Sequence, residues 1–120
     1  MGQAQSHRHV ALVVEDDALQ RASIAALLEE NEMHVIQCES GESAELVLEH
    51  VGGCLSTLIA DVNLAGRMDG VELAHLAKER FPGLRIVIMS ANPRVSRLPD
   101  GTQFLAKPWS PLDLLRETHQ

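Results

Sequence analysis

The stretch Leu58-Ile59-Ala60-Asp61 breaks abruptly from aliphatic to acidic, and Val10-Ala11-Leu12-Val13-Val14 ends the same way, in Glu15-Asp16. Contiguous aliphatics, not alternating with polar residues, read as strands buried on both faces, the pattern of a parallel sheet. A carboxylate that closes such a strand is placed for chemistry rather than for packing. Ligands of open α/β sheets bind outside the carboxyl ends of the strands, so Glu15, Asp16 and Asp61 are expected to converge on one point.

Outward from these runs, strand and helix patterns alternate. After the strand Val10 to Glu15 comes a helix over Ala18 to Asn31, with a broad apolar stripe of Leu19, Ala22, Ile24, Ala26, Leu27 and Leu28. Val35 to Gln37 reads as a short second strand. Ser40 is the candidate N-cap of a helix over Glu42 to His50, with Ala44, Leu46, Val47 and Val51 inward and Gly52-Gly53 closing it. Leu55 to Ala60 is the third strand. Gly70 to Phe81 is the third helix, with Asp69 as N-cap in preference to a ligand role, Val71, Leu73, Ala74, Leu76 and Ala77 inward, and Pro82-Gly83 as its stop. Arg85 to Met89 and Phe104 to Ala106 are the last strands, and Leu112 to Thr118 is a terminal helix begun after Pro111. Residues 91–102 hold Pro93, Pro99 and Gly101, so any helix there is short or absent. The expected fold is α/β, a doubly wound five-stranded parallel sheet with flanking helices. Periodicity does not give strand order; the flavodoxin-like order 2-1-3-4-5 would make the first and third strands neighbours.

Composition bounds the partners. The chain has 120 residues, 45% hydrophobic and only 2% aromatic, which fits one domain with an aliphatic core. A net charge of -7 argues against nucleic acid, whose binding rests on Lys and Arg neutralising phosphates. Cys38 and Cys54 match no zinc spacing and read as reduced thiols. No apolar stretch approaches the roughly 20 residues that cross a bilayer, so no membrane association and a cytoplasmic location are expected. Residues 1–9 read as a flexible polar leader, with His7 and His9 left as tail residues rather than a metal pair, and residues 10–120 as the domain, with no output domain after it.

Three carboxylates crowded together raise one another's pKa unless a cation compensates. Oxygen-only ligands favour a hard ion, and Mg²⁺ fits better than zinc. Such a site suits phosphoryl chemistry, with an Asp attacking phosphorus while Mg²⁺ and a Lys neutralise the equatorial oxygens. Lys107, directly after Phe104-Leu105-Ala106, qualifies as that Lys, and Ser90, after Val87-Ile88-Met89, brings a hydroxyl to the same edge.

Taken together, Val13-Val14-Glu15-Asp16, Asp61 with Met68-Asp69-Gly70, Ile88-Met89-Ser90-Ala91 and Lys107-Pro108-Trp109 give the chain a resemblance, over nearly its whole length, to receiver domains of bacterial two-component response regulators. The resemblance implies that Asp61 accepts a phosphoryl group from a histidine of a sensor kinase or phosphotransfer protein. It implies Mg²⁺ held by Asp16, Glu15, Asp61 and the backbone carbonyl of Asn63, Lys107 on a phosphoryl oxygen, and Ser90 and Phe104 as switch residues. It also implies a cis Lys107-Pro108 bond. Such a protein is not a turnover enzyme but a phosphoacceptor that catalyses its own phosphorylation and dephosphorylation. Its downstream protein target is unknown and its oligomeric state, a dimer among the options, is open.

Asp17 reads as the start of the first helix, not part of the site. Asn63 and Asn92 are either tuners of acyl-phosphate hydrolysis, as in the family, or plain loop residues. Trp109 is either a partner contact or a lid. Two departures stand out: the broken segment 91–102 where the family carries a fourth helix, and Gly66-Arg67, which lengthens the loop after Asp61. Two rivals remain. Asp61-Val62-Asn63 is similar to the motif of aspartate-nucleophile phosphatases, although Asn63 cannot serve as their general acid; the other rival is a receiver-like docking module that never takes phosphate.

Overall fold

The computed structural model describes residues 9–95 and 97–118. Five strands, β1 (Val10–Val14), β2 (His34–Cys38), β3 (Thr57–Asp61), β4 (Arg85–Ser90) and β5 (Gln103–Ala106), pair in parallel in the order β2-β1-β3-β4-β5. This is the expected flavodoxin-like order. Around the sheet lie α1 (Ala18–Glu30), α2 (Gly41–Val51), α3 (Gly70–Arg80) and α4 (Pro111–Thr118), with a 3-10 turn over Gly52–Cys54.

Alternate residues of each strand enter opposite cores. Leu12, Val14, Leu58, Ala60, Ile86 and Ile88 pack with Ala44 and Leu48 of α2 and Leu73, Ala74 and Ala77 of α3. Ala11, Val13, Ile59, Val87, Met89 and Leu105 pack with Ile24 and Leu28 of α1 and Leu114 of α4. Both faces are covered, which is why the strands are aliphatic without alternation. Cys38 is buried, Cys54 is exposed, and both are free thiols.

The helix boundaries agree with expectation to within a residue or two, and so does the inward face of α3 with Leu73, Ala74 and Ala77 buried, but the inward faces of α1 and α2 agree only in part. Leu19 is 81% exposed, and in α1 the buried set is Ile24, Ala25 and Leu28. In α2, Leu46 and Val51 face solvent while Leu48, four residues after Ala44, is the one buried with it. Each helix leans on one sheet face only, so its apolar residues outnumber the positions that face can cover. The caps are as expected. Asp17 accepts the Gln20 N–H at 3.0 Å, Ser40 accepts the Ser43 N–H at 3.1 Å, and Asp69 and Glu72 form a reciprocal capping box at 2.8 and 3.0 Å.

Among the described residues of 91–102 there is no helix. Leu98 packs against the α2–α3 core, and the His75 ring of α3 contacts the Arg97 carbonyl. Leu105 turns to the α1–α4 core, so Phe104 and Ala106 turn the other way and are exposed, Phe104 by 38%. Of the proposed leader, residues 1–8, His7 included, lie outside the described residues; His9 accepts the His34 N–H at 2.9 Å.

The loop between β3 and α3 is tied at several points. Ser40 bridges to Ala65, Arg67 N–H donates to Glu42 Oε2 at 2.7 Å, and Gly66 sits at φ 94°, a left-handed conformation that glycine adopts without strain. At its end Gly70 N–H donates to the Val62 carbonyl at 2.8 Å, bringing the α3 N-terminus onto the end of β3. A Cβ at Gly70 would fall inside the van der Waals radius of the Asp61 carbonyl oxygen. Gly70→Ala should therefore cost about 1–3 kcal/mol, as overpacking does, and Asp69→Ala about 0.5–2 kcal/mol through the lost cap. Urea midpoints at constant m measure both.

Candidate functional site

Sheet register assembles the site. Val14 pairs with Ala60, so Glu15 continues β1 beside Asp61. Asp61 pairs with Met89, which puts Ser90 one residue further along β4. Ser90 in turn pairs with Ala106, and its carbonyl accepts the Lys107 N–H at 2.9 Å. Four adjacent strand ends thus carry an acid pair, an acid, a hydroxyl and an ammonium. The Lys107-Pro108 peptide bond is cis.

Lys107 Nζ is the centre of this cluster. It donates to Asp61 Oδ2, to Glu15 Oε1 at 3.2 Å and to Gln20 Oε1 at 2.8 Å, which matches the three donors of an ammonium. Asp61, 6% exposed, has its other oxygen on the Asn63 N–H at 2.8 Å. Glu15, 1% exposed, accepts the Asp17 N–H at 3.1 Å through Oε2, and its carbonyl accepts from Arg21 at 2.8 Å. Ser90 is buried, and its Oγ accepts the Asn92 N–H at 2.9 Å; Asn92 Oδ1 accepts the Arg94 N–H at 2.9 Å, so two side-chain turns shape the exit from β4.

Burial is the main reason that Glu15 is pushed up from 4.5 to about 7; the Asp17 N–H opposes this, the Asp61 carboxylate adds to it, and Lys107 opposes it. For Lys107, partial burial works against the charged form, but the hydrogen bond and charge of Asp61 and then of Glu15 outweigh it and raise the ammonium's pKa. A buried carboxylate perturbed by burial and a charged neighbour at the edge of a sheet marks a candidate functional site.

Not every residue expected at the site is drawn into the cluster. Glu15 and Asp61 meet on Lys107, whereas Asp16 is exposed at the rim. Among the described residues no three His, Cys, Asp or Glu side chains form a ready metal cage. The expected three-carboxylate convergence is therefore a convergence of two, because the ammonium itself occupies the space between them. The donor chemistry still suits a hard ion of the Mg²⁺ type, which takes one or two carboxylates and otherwise keeps water. Phe104 is not a core residue. Trp109 packs partly against the α1–α4 core, and with Gln20, Ala91, Lys107 and Pro108 it lines a cleft of about 370 Å³ beside the site. Gln20 is the contact that the sequence reading passed over. Its one signal was position, the third residue after the cap Asp17 on the helix that starts at the acid pair.

The family model of the response regulator receiver domain matches residues 11–119, and the chain belongs to that family, the receivers of two-component systems. It is 32% identical over 111 residues to the response regulator receiver protein CpdR of Brucella abortus (strain 2308), covering 88% of this chain and 90% of that one. It is 36% identical over 122 residues to the two-component response regulator ORR6 of Oryza sativa subsp. japonica, covering 95% of this chain and 71% of that one. The fold is matched by the crystal structure of a response regulator receiver protein from Sinorhizobium medicae WSM419, with a TM-score of 0.84 at 22% identity over 93% of this chain and 92% of the other. No helix among the described residues is long and apolar enough to cross a membrane.

The raised pKa of Glu15 has a measurable sign. Between 4.5 and about 7 an unfolded Glu15 has released a proton that the folded one keeps, so stability falls as pH rises through that window. In metal-free protein, wild type should lose stability relative to Glu15→Gln between about pH 5 and about pH 7.5. Chemical denaturation of both proteins in a chelator measures the gap, and a pH-independent gap would show that Glu15 ionises normally.

Proposed function

We propose that Asp61 is the phosphoacceptor of a receiver that takes its phosphoryl group from a histidine of a sensor kinase or phosphotransfer protein. The observation that carries this reading is Lys107 Nζ held on the Asp61 carboxylate at the carboxyl edge of the sheet, with the Ser90 hydroxyl on the next strand. Asp61 supplies the lone pair: an O–P bond forms as the P–N bond of the phosphohistidine breaks, and the imidazole leaves with that electron pair and takes a proton from water. Lys107 is already on the carboxylate and transfers to a phosphoryl oxygen as negative charge moves there. Asn63 N–H keeps the Asp61 carboxyl group oriented while this happens. Asp16, Glu15, Asp61 and the Asn63 carbonyl would hold Mg²⁺, which when bound supplies charge neutralisation for the transferring group.

Ser90 then acts as the switch. To reach a phosphoryl oxygen its hydroxyl gives up the Asn92 N–H, which releases the turn at the start of segment 91–102 and biases that loop. Phe104, half-exposed beside the loop, responds to the same motion. A target that binds one state better completes the signal.

Incubation with acetyl phosphate and Mg²⁺, read by intact mass, tests the chemistry. One phosphoryl adduct on wild type and none on Asp61→Asn is expected. Lys107→Met should slow its formation by about 10- to 100-fold, given how much a preorganised cation contributes to such a transfer. Ser90→Ala should still be phosphorylated but lose the accompanying change in amide exchange over residues 91–106. Turnover of varied phosphomonoesters would point to a phosphatase, and absence of any adduct to a docking module.

A further inference from the structure

We propose that Gln20 is a positioning residue for Lys107, holding the ammonium in place while its bond to Asp61 is passed to a phosphoryl oxygen. This rests on the phosphoacceptor reading of Asp61 and extends it to a residue outside the acid pair. Of the three acceptors on Nζ, Glu15 and Asp61 are carboxylates that belong to the proposed cation site. Gln20 Oε1, at 2.8 Å, is neutral and belongs to neither the cation site nor the acceptor. It is the partner that stays when the carboxylates change their charge or their ligands.

Its own position is fixed by a closed ring of hydrogen bonds. Glu15 Oε2 accepts the Asp17 N–H, Asp17 Oδ1 accepts the Gln20 N–H, Gln20 Oε1 accepts from Lys107 Nζ, and Nζ donates back to Glu15 Oε1. The helix cap that starts α1 therefore also sets where the ammonium sits. Gln20 is solvent-exposed and packs in no core, so the ring and not the fold depends on its side chain. Asp61 carries negative charge on its own oxygens before transfer and on the phosphoryl oxygens after it. Without the third acceptor, Nζ follows the nearer carboxylate and is misplaced for the product.

The chain has two lysines, Lys78 and Lys107, so ¹⁵N-lysine labelling gives a two-signal spectrum of the ammonium groups. Gln20→Met keeps the side-chain length and removes the acceptor; Gln20→Glu keeps the acceptor. With Gln20→Met the Lys107 ammonium signal should broaden through faster proton exchange while that of Lys78 is unmoved, and Gln20→Glu should retain it. Phosphorylation of Gln20→Met by acetyl phosphate should slow roughly 2- to 10-fold, the scale of one modest hydrogen bond. Mg²⁺ affinity, read by fluorescence of the single tryptophan, Trp109, and the urea midpoint should stay at wild-type values. An unchanged Lys107 signal and rate in Gln20→Met would overturn the proposal, as would a loss of rate matched by an equal loss of Mg²⁺ affinity. If wild type itself takes no phosphoryl group, the phosphoacceptor reading fails and this role fails with it, whereas a phosphorylated wild type with an indifferent Gln20→Met removes only the role of Gln20.

Discussion

One ammonium, shared by carboxylates from two strands, sets the terms for the whole carboxyl edge of the sheet. Glu15 and Asp61 are both buried and stand side by side because β1 and β3 are neighbours, an arrangement that repels itself unless a cation is supplied. Lys107 comes from β5, with β4 between it and β3, and a long side chain is needed to cross that strand. The crossing passes over Ser90, whose side chain is small. Strand order, the short residue at the end of β4 and the length of lysine are thus parts of one solution. Glu15 is pushed up to about 7 chiefly by its burial, with the Asp61 charge adding to it, and a divalent ion bound there would favour its charged form.

The backbone around Asp61 is held as tightly as its side chain. The strand ends against α3, where only glycine lets the helix terminus approach the Asp61 carbonyl, and the intervening loop is fastened to α2 by Glu42 and Ser40. The extra length contributed by Gly66-Arg67 is taken up by a left-handed glycine and a carboxylate clasp instead of being left slack. In contrast, the exit from β4 is shaped by two side-chain turns, one on the buried Ser90 hydroxyl and one on the exposed Asn92 amide. The Asp61 side of the site is rigidly framed and the Ser90 side is lightly framed.

Much of this was legible in the residues. The aliphatic runs ending in Glu15-Asp16, Asp61, Ser90 and Lys107 give the strands and the site together, because burial on both faces and a functional end are written in the same few positions. The helix faces were less legible. Leu19, Leu46 and Val51 look inward by composition, yet only the packing of each helix on one side of the sheet decides between them and Leu48. Gln20 left only its position as a signal, since an uncharged amide at a helix start has no chemical signature until the lysine from the far end of the chain is brought to it. Gly70 was visible only as part of a motif; its steric reason lies in the nearness of a carbonyl that is distant in neither sequence nor space but hidden from periodicity. Asp16 was grouped with its neighbours by sequence, and the turn into α1 leaves its side chain at the exposed rim of the site.

The connection from β4 to β5 has no helix among its described residues, as its prolines and glycine foretold. A helix carries displacement at one end to the other as a rotation of the whole, in push and in pull alike. The described residues of this connection instead turn and bend, held by Leu98 in the core and by His75 at Arg97. A connection built this way has joints where a helical crossover has none, so a shift at one end would be divided among its parts.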